Sequence, residues 1–100
     1  MITENELVLN TLAEEAIEVA HRVLKRTRFG PTTNYPGTNT NNDLLIIQEI
    51  GDFLGILEMV IERSILKHED IADSLMMYAT QKKHKMARSI ELSRSLGAIE

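Results

Sequence analysis

The sequence has no cysteine and no tryptophan, and only two prolines, two tyrosines and two phenylalanines in 100 positions. Without thiols there are no disulfides, zinc–thiolate centres, iron–sulfur clusters or thiol nucleophiles, so any metal must be held by oxygen or imidazole. A basic excess is also missing: eleven Lys and Arg stand against fifteen Asp and Glu, for a net charge of −4. General affinity for nucleic acid depends on basic residues neutralising phosphates and is not expected. No stretch near the start joins a basic end to an apolar run and a small-residue cleavage site, so a signal peptide is not expected either. The longest apolar stretch, Leu44 to Ile61, holds twelve large apolar residues in eighteen positions but also Glu49, Asp52 and Glu58. Three acids argue against a membrane span.

What is present is the composition of one ordinary globular domain, 43% hydrophobic and 26% charged, spanning residues 1–100. A chain this short buries only somewhat over 60% of its unfolded surface, so self-association is expected as a means of burying more. The spacing T-x-x-E at Thr3 and Glu6 marks a helix start, and a helix from Glu4 to about Lys25 follows. Both prolines, two glycines and a Thr/Asn-rich tract fall between Phe29 and Asn42, which predicts a loop. It is longer than the usual helix connection, as binding loops tend to be. Thr40 or Asn42 is placed to cap a second helix running to about Leu66. A third apolar pattern begins at Glu69 or Asp70 and stops at Gly97, as one helix or two. With no strand-like alternation, the expected fold is all-α, a bundle of three to four helices.

The candidate chemistry lies in acids. Glu14, Glu15 and Glu18 form E-E-x-x-E on the first helix, and Glu49 and Asp52 form E-x-x-D on the second. Residues three apart share a helix face. On the second helix that face also carries Leu45, Ile56 and Met59, where uncompensated charge is costly, so a cationic partner is expected. Two facing carboxylate pairs make a hard oxygen cage suited to Mg²⁺ or Mn²⁺. Arg22 and Lys25 continue the stripe of Glu15 and Glu18, placing bases beyond the acids. The bland alternatives are a solvated face with a Glu18–Arg22 pair on the first helix and, for Glu49 and Asp52, a salt bridge to a base of the third.

With both acid motifs in this order around this loop, the sequence resembles the MazG-like all-α nucleoside triphosphate pyrophosphohydrolases, in their short single-domain form found in phages and bacteria. Lys25, Arg28-Phe29-Gly30, Asn42, Lys82, Lys85 and the ending Ser93-Arg94-x-x-Gly97 extend the similarity over most of the chain. The resemblance implies hydrolysis of a (d)NTP between the α and β phosphates, giving the monophosphate and pyrophosphate with Mg²⁺ or Mn²⁺ as cofactor. It implies Glu15, Glu18, Glu49 and Asp52 as metal ligands, with Glu14 as the catalytic base or a support for the attacking water. Lys25, Arg28, Lys82 and Lys85 would bind phosphate, and Phe29, Asn34, Tyr35 and Asn42 the base. Purine deoxynucleotides and dUTP are among the substrates of such enzymes. The implied assembly is a homo-dimer or homo-tetramer, in the cytoplasm of a bacterium or a phage-infected host.

Two other readings compete. Glu18-x-x-His21 has the spacing used by di-iron helical bundles, but the second helix ends its pair in Asp52 where a histidine is required. A non-catalytic helical interaction module would use Met76, Met77 and Met86 of the third helix as a contact face and leave the acids solvated. The basic run Lys82, Lys83, His84, Lys85 and Arg88 lacks the interleaved aromatics of a nucleic-acid patch.

Overall fold

The computed structural model describes residues 1–100 as three α-helices, α1 (Glu4–Phe29), α2 (Asn42–Glu62) and α3 (Ile71–Ser95), and no strand. The all-α expectation holds, and the third pattern is one helix. The chain divides into two compact units, Met1–Lys67 with α1 and α2, and His68–Glu100 with α3.

In the first unit α1 and α2 form an antiparallel hairpin. The Thr3 side chain accepts the Glu6 N–H at 3.0 Å, satisfying one of the orphan donors at the helix start. Nothing in the sequence after Lys25 breaks the helix until Gly30, which caps it at φ 94°, so α1 runs four residues further than the spacing suggested. At the far end, Arg63 donates to Asn5 at 2.9 Å and to Glu4 at 3.0 Å, clasping the end of α2 to the start of α1.

The loop is ordered by its own backbone. Tyr35 and Thr38 close a turn over Pro36 and Gly37, whose φ of 79° suits glycine at that place. An isolated bridge pairs Asn34 with Asn41. Asn41, between the two residues read as caps, is the cap of α2: its side chain accepts the Leu44 N–H at 2.8 Å. Asn42 is instead buried and donates to the Gly30 carbonyl at 2.8 Å, fixing the loop's end to its beginning.

α2 stops at Glu62, four residues before the expected Leu66. Ser64 takes the left-handed conformation at φ 51°, with Ile65 N–H bonded to the Val60 carbonyl and Ser64 N–H to that of Ile61. That is a Schellman stop made without glycine. α3 ends in the same motif at Gly97, where the glycine made it legible. Val60 is the one fully buried apolar side chain, and neither α1 nor α3 has a buried residue. No helix is long and apolar enough to cross a membrane.

Candidate acidic site and aromatic pocket

The hairpin brings the two acid motifs together. One carboxylate oxygen from each of Glu15, Glu49 and Asp52 lies within 4.8 Å of the others. Glu15 and Glu49 are half-buried, but Asp52 is exposed, which corrects the expectation that both α2 acids lie where charge is costly. Of its apolar neighbours along α2, Leu45 and Ile56 are half-buried and Met59 is 39% exposed. Glu14 and Glu18 are exposed and lie outside the trio, though both contribute charge to it. Partial burial first, and then the charges of Asp52, Glu49, Glu18 and Glu14, push the Glu15 carboxyl above its usual range.

The cationic neighbour of these acids is Arg22. Its Nε lies 3.8 Å from Glu49 Oε1, with both side chains about one-fifth exposed. The expected pairing of Glu18 with Arg22 is not among the ion pairs of the first unit. Glu15 and Asp52 have no ion-pair partner. Arg22 also stacks over the Tyr35 ring, 5.6 Å from its centroid, and its Nη1 is buried without a hydrogen-bond acceptor. A buried donor of this kind costs about 1–3 kcal/mol until an acceptor meets it. The sequence placed Arg22 on the right stripe of α1 but could not reveal its contacts with Glu49 and Tyr35, which depend on how the loop returns and how α2 registers against α1.

Beyond Arg22 lies a pocket of about 300 Å³ lined by Lys25, Phe29, Thr33, Asn34, Tyr35, Pro36 and Asn42. All four residues named for the base, and Lys25, thus meet around one space; Thr33 and Pro36 complete it without having been singled out. Arg28 is not part of its wall, and its guanidinium sits 5.7 Å from the Phe29 ring centroid. Lys82 and Lys85 belong to the second unit, where with Gln81, His84 and Arg88 they line an open concavity of about 490 Å³ along α3. His21, the histidine of the first unit, is exposed and is not among the clustered ligands.

Comparisons with protein-family models, with curated proteins and with solved structures return no match to this chain.

Proposed function

We propose that the first unit is the catalytic centre of a divalent-metal-dependent nucleoside triphosphate pyrophosphohydrolase, as the resemblance to the MazG-like enzymes implies. The observation that carries the reading is the convergence of Glu15, Glu49 and Asp52 at one end of a stripe whose other end is an aromatic pocket. Acids, then Arg22, then Lys25, then the pocket is the order in which a cation, a phosphate chain and a base would be met. The donor set fits the cofactor: three carboxylates supply hard oxygen ligands, two of them have no cationic partner, and like charges so close favour a bound cation.

The chemistry that Mg²⁺ or Mn²⁺ would supply there is polarisation of a phosphate oxygen and a lowered pKa for water. Glu15, Glu49 and Asp52 would hold the ion, and Glu18, one turn away, would complete the set. Glu14 is the base that takes a proton from the attacking water, whose oxygen forms a bond to the α phosphorus as the bond to the bridging oxygen of the β phosphate breaks. Arg22 offers its unmatched Nη1 to a phosphate oxygen, and Lys25 adds charge at the mouth of the pocket; both neutralise what accumulates on the leaving pyrophosphate. The base packs between Phe29 and Tyr35 while the Asn34 amide offers hydrogen bonds to its edge. Asn42 is committed to the Gly30 carbonyl through Nδ2, so its contribution is to hold the wall. The role of Glu14 as base, and Arg28, Lys82 and Lys85, enter the reading through the resemblance alone.

The test incubates the protein with each common NTP and dNTP, and dUTP, with Mg²⁺ or Mn²⁺, and separates products by anion exchange. The expected products are a monophosphate and pyrophosphate, abolished by Glu49→Gln with the helical content unchanged. Stepwise release of single phosphates, or no product from any nucleotide, would retire the proposal.

A further inference from the structure

Arg22 is largely withdrawn from water yet makes no hydrogen bond to its ionic partner. Its Nε lies 3.8 Å from Glu49 Oε1, beyond the roughly 2.7–3.2 Å of an N–H···O bond, with both side chains about one-fifth exposed. Its Nη1 is buried with no acceptor, and the guanidinium lies 5.6 Å over the Tyr35 ring. Arg26 and Arg63 of the same unit differ: the first donates to Asp43, the second to Asn5 and Glu4. A guanidinium presents its donors as a rigid planar fork that two oxygens of one anion fill together. Glu49 leaves that fork open, and it also belongs to the acidic cluster with Glu15 and Asp52, while Tyr35 belongs to the wall of the aromatic pocket. Arg22 therefore joins the two halves of the site.

We propose that Arg22 is a phosphate site gated by Glu49. In the free chain the Glu49 carboxylate offsets the charge of the guanidinium and repels an incoming anion. When Glu49 is neutralised, or turned toward a cation held with Glu15 and Asp52, the fork is left to a phosphate chain, whose paired oxygens supply the acceptor that Nη1 lacks. Cation and phosphate are then linked: the first raises the affinity for the second, and the second raises the affinity for the first by the same factor. The inference rests on the reading above for the identity of the anion and adds how the site is regulated.

Calorimetric titration of inorganic pyrophosphate into the full chain in metal-free buffer tests it, with circular dichroism following the helices. Glu49→Gln should bind about fivefold more tightly than the wild type, the scale of a partly exposed ion pair. Asp52→Asn removes the same charge from the cluster but leaves the Arg22–Glu49 pair, and should gain about twofold or less. Adding Arg22→Met to Glu49→Gln should return the affinity to the wild-type level or below it. In Tyr78→Phe, which leaves Tyr35 as the one tyrosine of a chain without tryptophan, pyrophosphate should change the tyrosine emission. Glu49→Gln binding no tighter than the wild type overturns the inference, as does an equal gain in Asp52→Asn. So does a double variant that binds as tightly as Glu49→Gln alone, or an unchanged Tyr35 emission. Neither metal nor turnover enters these titrations, so a chain that shows the pattern and hydrolyses no nucleotide would retire the proposed reaction and keep the gate. One that hydrolyses nucleotides without the pattern would do the reverse.

Discussion

Glu15 is the residue at which the account is most exposed to test. Its carboxyl is held above the ordinary range by partial burial and four neighbouring acids, so its ionised form is penalised in the fold. That penalty is present at pH values above the raised pKa and is relieved as pH falls through it towards the unfolded value. Glu15→Gln should therefore melt higher than the wild type at neutral pH without metal, and the gap should close on acidification, as paired thermal melts between pH 4 and 7 would record. Metal binding needs the carboxylate, so the wild type's affinity for Mn²⁺ should fall on the same acidification. Arg22 makes the complementary prediction. Arg22→Met removes an unmatched buried donor as well as a long ion pair, so stability should change little, whereas turnover of a nucleotide should drop at least tenfold. A folded variant with full activity would remove Arg22 from the phosphate path. The acids were legible because three-residue spacing fixes a helix face in any helix. Arg22's contacts were not, because they depend on the register of α2 against α1.

At the scale of elements, legibility followed the residue types at helix ends. Thr3 and Gly97 are the favoured types at their positions, and those ends lie where the pattern placed them. Ser64 is not, and the end of α2 was missed by four residues because a serine held left-handed resembles any other serine in sequence. Ser64→Gly removes that conformational cost and should stabilise the first unit by about 1 kcal/mol, read as a rise in denaturant midpoint. A fall would mean that the hydroxyl has a role the backbone does not reveal. The loop was legible as a loop, yet its internal order was not: the Asn34–Asn41 bridge and the burial of Asn42 depend on the two helix ends being brought together. Asn42→Ala leaves the Gly30 carbonyl without its side-chain donor. It should cost about 1–2 kcal/mol and loosen the pocket wall, raising the KM for a nucleotide more than it lowers kcat.

For the whole molecule, residue spacing indicated helices and composition an acidic balance, and neither could indicate how little of the apolar content one chain covers. A sequence with 43% hydrophobic residues reads as having a core, whereas the single chain encloses Val60 alone. The acids nevertheless converge, and the central claim is that they do so to hold a divalent cation. Calorimetric titration of Mn²⁺ into the wild type, Glu49→Gln and Glu58→Gln tests that most directly, since Glu58 lies on the same helix outside the cluster. Saturable binding by the wild type and Glu58→Gln, and its loss in Glu49→Gln with helices intact, is the expected result. Equal heats from all three proteins, or none from any, would contradict the account.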